Sequence, residues 1–436
     1  MKPPAESMRI PEAVSPKASD EVDASSPAYA RYVLGVLFLV GVFALVDRQI
    51  FGMLMESIKR EFEVSDTWLG LASGLSFGLF YAAAGIPIAR LADGGSRRSI
   101  LAAGLGAWSA LTLLSGLVTS FAQLVLARLA IGVGEAAGTP TAQALIADYF
   151  PPARRARALA IYSAGSSTGV MLAYLVGGWI QERWGWRGVF LTLGAPGVLL
   201  ALVVRLTVRE PRRGRFDVRA VESLSTREAL SRLLAQPAYR SVLIAFALHS
   251  LSFSAASIWH PAYLARVHAM QPGEIGRLLG FGSAALSAIG VVSGGFLTDR
   301  LAGRDRRWLL RLPGMASLVY APLSLLFLFA PTRALALLGL ATSGFLSGLA
   351  IPGMHAAIQE LAEPASRATA AALNLLLLTL VGVGLGPTLV GITNDLLAAR
   401  LGDHAVQWSL AFAALVTAGS GTQALIGARQ LARRIG

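Results

Sequence analysis

Long apolar stretches recur along the chain at regular intervals, each closed by charged, Gly or Pro positions. Crossing a hydrocarbon core of roughly 30 Å takes about 20 helical residues, and about twelve stretches reach that length. The pattern predicts spanning helices over residues 32–54, 68–90, 99–119, 121–147, 157–181, 188–208, 239–265, 276–298, 308–330, 334–359, 367–396 and 405–430. A run such as LLRLPGMASLVYAPLSLLFLFA is apolar almost throughout. A membrane β-strand would instead alternate apolar and polar positions over short segments, so helices are expected.

The pattern also repeats. After the second span comes ARLADGGSRRS, with Asp93, Arg97 and Arg98; after the eighth comes GFLTDRLAGRDRR, with Asp299, Arg300 and Arg304. The two aspartates lie about 206 residues apart, and PPARRARALAI (from Pro151) and EPASRATAAAL (from Glu363) lie about 212 apart, so two motifs share one offset. Duplicated halves predict an all-α membrane protein of twelve transmembrane helices in two pseudo-symmetric six-helix bundles, with a substrate site where the bundles meet near the midplane. The expected divisions are a disordered cytosolic tail over 1–30, one bundle over 31–208, a cytosolic linker over 209–238 and a second bundle over 239–436. Within the linker, Ser225 and Glu228 have capping-box spacing, Leu230, Leu233 and Leu234 form an apolar face, and Pro237 ends the turn, which predicts a short interfacial helix. In each repeated loop, an Asp at a helix end can accept hydrogen bonds from a neighbouring helix N-terminus and bridge to Arg in one conformation only. Asp93, Arg97 and Arg98, with Asp299, Arg300 and Arg304, are therefore candidate latch residues.

Composition agrees with a lipid solvent: 54% of residues are hydrophobic and 14% charged, and mean hydropathy is +0.59. A net charge of +13 does not point to nucleic acid, because the basic residues sit in short loops. With the N-terminus inside, about 28 of the 38 Lys and Arg fall on cytosolic segments and about 8 outside. That asymmetry predicts a multi-pass protein of the plasma (bacterial inner) membrane with both termini cytosolic. The chain has no cysteine, so disulfides and thiolate metal sites are excluded.

Few ionisable residues fall inside spans. Asp47 and Arg48 lie in the first, Arg128 and Glu135 in the fourth. Each costs roughly 2.5–3.5 kcal/mol at the bilayer centre if unpaired, so partners or a wet cavity are expected. Arg128, Gly132 and Glu135 share one helix stripe, whereas Asp47 and Arg48 point about 100° apart and need different partners. Glu135 and Asp47 are the candidate proton-coupling residues, since a desolvated carboxylate beside a movable Arg can change protonation state. Arg48 and Arg128 are candidates for holding an anionic group. His249, Trp259 and His260 in the seventh span are weaker substrate-binding candidates. No H-E-x-x-H, cavity aspartate pair or Ser–His constellation points to an enzyme, and no filter run points to a channel.

The double loop motif, RLAIGVGEA in the fourth span and RWGWRGVF before the sixth resemble the major facilitator superfamily across nearly the whole chain. DRQIFGML and IGVGEAAGTPTAQALIADYF resemble its spinster-type branch, which includes bacterial relatives of sphingolipid and lysophospholipid transporters. The first loop motif departs from the superfamily pattern, with Ala89 and Ser96 where Gly is usual and Gly94 where a basic residue is usual. The resemblance implies alternating-access transport of an anionic or zwitterionic lysolipid, with proton coupling at Glu135 and Asp47 and headgroup contact by Arg48 and Arg128. A proton-coupled symporter of a small organic anion of sugar-acid type and a drug/proton antiporter are the alternatives. No cofactor or metal is expected; the proton gradient is the driving force, the bilayer the only partner besides substrate, and the monomer the working unit.

Overall fold

In the computed structural model, residues 26–212 and 224–435 are described. The expected tail up to residue 25 and the basic run 213–223 lie outside the described residues. Among the described residues, twelve long helical segments follow one another: α1 (Pro27–Phe62), α2 (Asp66–Ala92), α3 (Arg97–Ser115), α4 (Phe121–Tyr149), α5 (152–184), α6 (186–207), α7 (Pro237–His268), α8 (Pro272–Ala302), α9 (Trp308–Phe329), α10 (Arg333–Leu361), α11 (367–401) and α12 (Ala405–Ile435). Helices α5 and α6 are divided at Gly185, whose φ of 65° an L-residue adopts only with strain.

The helix starts follow local chemistry. Side chains of Ser26, Ser65, Ser96, Ser120 and Thr332 each accept a backbone N–H three residues on. Pro27, Pro152, Pro237 and Pro272 occupy first-turn positions, where a missing N–H is harmless. The linker holds a helix, Thr226–Ala235, in which Ser225 Oγ caps Glu228 N at 3.3 Å. Ala229 and Leu233 are its buried residues, and Arg232 pairs with Glu363 just before α11. Its apolar face is thus applied to the second bundle, with Leu234 left exposed.

An even number of crossings puts both ends of the described chain on one face, termed the terminal face; the opposite one is the far face. The buried core divides accordingly. One cluster draws Ile50, Phe51 and Leu54 of the first bundle together with Ile258, Trp259 and Tyr263 of the second, toward the far face. Toward the terminal face the core splits: one cluster has buried residues only from 30–208, the other only from 233–431. The bundles are therefore fused at the far face and separate at the terminal face. Where they touch, glycines let backbones meet: a Cβ on Gly178 of α5 would strike the Pro272 carbonyl, and one on Gly276 of α8 would strike that of Tyr174.

The regular helices are interrupted mainly where the bundles face each other. Helix α2 breaks at Gly74, and α8 and α11 carry π-helical segments over Gly280–Ala285 and Leu378–Leu385. A π segment frees a local backbone register and commonly marks a functional position in a helix.

Replacing Gly276 with Leu should wedge the α5–α8 seam apart. In this cysteine-free chain, a reporter Ser167→Cys in the Gly276→Leu background should gain maleimide labelling from the far face several-fold. Labelling unchanged from the parent would show that this seam does not keep the far face shut.

Candidate functional site

Helix α1 presents Asp47, Arg48 and Gln49 in sequence, each on a different side. Arg48 reaches Glu135 of α4, with Nη2 2.6 Å and Nε 3.2 Å from Oε2. Arg128 of α4 donates to the Asp47 carbonyl at 3.3 Å, and its Nη1 lies 3.9 Å from Asp47 Oδ1. Thr112 of α3 donates to the same Oδ1 at 2.7 Å. Phe77 of α2 lies between the two guanidinium groups, 5.0 Å from that of Arg48 and 5.7 Å from that of Arg128. The quadrupole of the ring supports both cations from a face that offers no hydrogen bond. The four charges sum to zero, which removes most of the burial penalty each would incur alone.

Two features keep this cluster from being inert. Asp47 Oδ2 and Glu135 Oε1 are buried without a hydrogen-bond partner, so each carboxylate retains one oxygen able to take a proton. The arginines also differ: the Arg48 side chain is 24% exposed, that of Arg128 1%. The sequence makes Arg128 a candidate for substrate contact; enclosed between Phe51, Phe77 and Asp47, it has no open surface for that role.

Beside the cluster lies a cavity of about 120 Å³ between α5 and the second bundle. Tyr174, Ser257, His260, Ser287, Tyr320 and Ser347 supply its polar lining. Gln49 links the two sites, since its Nε2 donates to Tyr174 Oη at 3.0 Å and also to Ser257 Oγ. Tyr174 Oη in turn donates to the Ser257 carbonyl at 2.6 Å. His260 lines the cavity, and its ring meets Phe327 at 5.1 Å. Trp259 does not line it: it is fully buried and donates Nε1 to the Pro387 carbonyl of α11 at 2.9 Å. His249 is also off the cavity wall, 3% exposed within the second bundle. Neighbours in sequence on α7 point to different sides, so of the three only His260 meets the cavity.

The family model described as Major Facilitator Superfamily matches residues 37–387. The chain belongs to the Major Facilitator Superfamily. It is a transporter and not an enzyme, and spinster homologues are among its relatives. An "MFS-type efflux pump" of Mycolicibacterium smegmatis is 36% identical over 89% of this chain and 90% of its own. The sphingosine-1-phosphate transporter SPNS2 of Danio rerio is 29% identical over 54% of this chain and 48% of its own. A solved bacterial homologue of the human lysosomal transporter Spinster, inward-facing and unoccupied, superposes with a TM-score of 0.85 at 28% identity, covering 94% of this chain and 98% of that one.

The superfamily loop motifs are engaged unequally. In the first bundle Arg97 pairs with Asp148, and Glu210, which sequence reasoning passed over, accepts from Ser96 Oγ, Arg97 N and Arg98 N at 2.7–2.9 Å. A carboxylate there satisfies the free N–H groups of α3 and its dipole. The Asp93 side chain lies outside the described part of the structure. In the second bundle Asp299, Arg300 and Arg304 are exposed and form no ion pair among the described residues. The paired groups of that loop are instead Asp305 with Arg307 and Arg311, and Arg306 with Glu360. The Arg307 amide and guanidinium hold the Asp305 carboxyl below its ordinary range.

Sequence reasoning also missed the far-face closure. Asp66, at the start of α2, accepts from Lys59 at 2.7 Å, from Arg266 Nη2 of α7 at 2.9 Å and from Asn394 of α11 at 2.9 Å. Arg266 Nε also donates to Glu56 at 2.7 Å, and Asp395 of α11 accepts from the amides of Asp66 and Thr67 at 3.1 and 2.8 Å. Ser65 as a helix cap was the one local signal nearby; charges at span ends are otherwise common.

Because Arg128 compensates Asp47 in a site closed to water, Arg128→Ala should destabilise the fold by about 3–5 kcal/mol, the usual effect of stripping a buried charge of its partner. Arg300→Ala on the exposed loop should stay within about 0.5 kcal/mol. Thermal unfolding in detergent measures both, and equal midpoints would show that Arg128 does not hold the fold together through Asp47.

Proposed function

We propose that the chain carries an anionic or zwitterionic lysolipid-like amphiphile by alternating access, coupled to proton movement at Glu135 and Asp47. The observation that carries this reading is the pair of buried carboxylates, each with one oxygen lacking a donor, beside the partly open Arg48. A proton arriving at Glu135 Oε1 neutralises the carboxylate and weakens its hold on Arg48. The freed guanidinium is suited to a phosphate or carboxylate headgroup by its planar fork. Loss of the proton restores the Arg48–Glu135 pair and expels the headgroup, so the headgroup and the Glu135 carboxylate compete for one arginine.

The basic loops support assigning the terminal face to the cytosol, with both termini there and the chain in the plasma membrane. The structure then corresponds to an inward-facing carrier, in keeping with the similar solved homologue. The Gln49–Tyr174–Ser257 bridge gives the charged cluster a route to the cavity: a substrate hydroxyl that displaces Gln49 from Ser257 disturbs the residue next to Arg48. Apolar lining by Val170, Phe253 and Val291 suits an acyl or sphingoid chain. The monomer holds the whole cluster and is taken as the working unit.

The efflux-pump relative, alike over most of both chains, favours a second reading in which unrelated apolar compounds leave in exchange for protons. A thermal-shift screen with lysophospholipids, sphingoid phosphates, sugar acids and cationic dyes separates these readings, because only a bound ligand stabilises the folded form. In proteoliposomes, Glu135→Gln should abolish flux driven by a pH gradient while binding persists. Arg48→Ala should weaken an anionic amphiphile by about tenfold or more, near 1.4 kcal/mol. Unaltered gradient-driven flux in Glu135→Gln would take Glu135 out of the coupling mechanism.

A further inference from the structure

A second, larger cleft of about 400 Å³ opens at the far face of the second bundle, away from the charged cluster. It lies where α7, α8, α9 and α10 end together. Its floor is apolar, formed by Leu264, Leu278, Phe327 and Ala336, and its rim carries Glu274 and Arg333. We infer that this cleft is a binding site for a phospholipid with a primary-ammonium headgroup, of the phosphatidylethanolamine type, held as a resident lipid and not as cargo.

The charges carry the argument. Glu274 and Arg333 line one cleft with opposite signs, yet neither forms an ion pair among the described residues. Glu274 accepts only a long capping bond from Gln271 N at 3.4 Å, leaving most of its acceptor capacity open. Arg333 stands in the first turn of α10, where a cation opposes the helix dipole. It also stands on the face that carries few basic residues. A phosphate placed there meets both the guanidinium and the positive end of α10, and thereby turns an unfavourable position into a favourable one. The ammonium on the same headgroup then has Glu274 across the cleft.

The apolar part selects a lipid over a free headgroup. Leu337 lines the cleft at 38% exposure, and Leu338 beside it is 52% exposed, so an apolar strip continues from the cleft down α10 into the bilayer. An acyl chain can lie along that strip while the head stays at the level of the helix ends. A phosphatidylglycerol head would leave Glu274 unmatched beside a second anion. A choline head has a cation but no N–H to donate to the carboxylate. The proposal does not depend on the transport substrate, and its failure leaves that reading untouched.

The test is native mass spectrometry of the purified full chain, titrated with equal amounts of phosphatidylethanolamine, phosphatidylglycerol and phosphatidylcholine of identical acyl chains. The ethanolamine adduct should exceed each of the others by about fivefold, the scale of one partly exposed ion pair. Glu274→Gln should bring the ratios near one, whereas Arg333→Ala should lower all three adducts several-fold and Arg333→Lys should retain part of the binding. Glutamine at 274 keeps the capping box at the start of α8, so lost preference in that variant is not lost folding. Equal adducts in the parent, ratios unmoved in Glu274→Gln, or adducts unmoved in Arg333→Ala would overturn the proposal. Displacement of the lipid by tail-less glycerophosphoethanolamine at similar concentration would also overturn it, by removing the role of the apolar strip.

Discussion

Charge neutrality among largely buried ions governs this structure. Asp47, Arg48, Arg128 and Glu135 sit between α1 and α4 with Phe77 and Thr112 closing the remaining sides. Any one of them alone would be expelled or neutralised. Together they hold α1, α2, α3 and α4 in one relative rotation, because each guanidinium reaches its own carboxylate only when the helices present the correct stripes. The arrangement is one acceptor oxygen short of satisfied at each carboxylate, Asp47 Oδ2 and Glu135 Oε1.

The core shows how such a cluster is joined to motion. Buried side chains run continuously between bundles at the far face and stop at the bundle boundary toward the terminal face. The closed side is held by three kinds of contact: the apolar cluster that joins Ile50, Phe51 and Leu54 to Ile258, Trp259 and Tyr263, glycine-mediated backbone approach, and the Asp66–Arg266 network. Glycine seams part without leaving cavities behind, and ions at a helix end regain water when separated, so both are reversible at low cost. The π segments of α8 and α11 and the break in α2 lie on helices that cross this seam, where a change of tilt has to be absorbed.

The chain thus divides its polar groups by depth. A charged network lies at the far ends, the four-ion cluster lies deeper, and neutral hydroxyls line the cavity wall of the second bundle. Membership of the Major Facilitator Superfamily accounts for the scaffold. The particular arginine left open, Arg48 and not Arg128, is a property of how α1 and α4 are rotated against each other.

The sequence by itself determined the helical membrane class and the few ions that fall inside its spans. In lipid every backbone bond must be satisfied within its own segment and a charge is rare, so both leave marks that survive without coordinates. Only the tertiary structure decided which carboxylate each arginine takes, that Trp259 serves α11 while His260 faces the cavity, and that Gln49, Tyr174 and Ser257 meet. It likewise revealed Asp66 and Arg266 as partners, two residues that look in sequence like ordinary loop charges. Those outcomes depend on rotation and tilt of helices whose meeting residues lie 81 to 208 positions apart in sequence, set by side-chain packing, and no local pattern of apolar and polar positions encodes them.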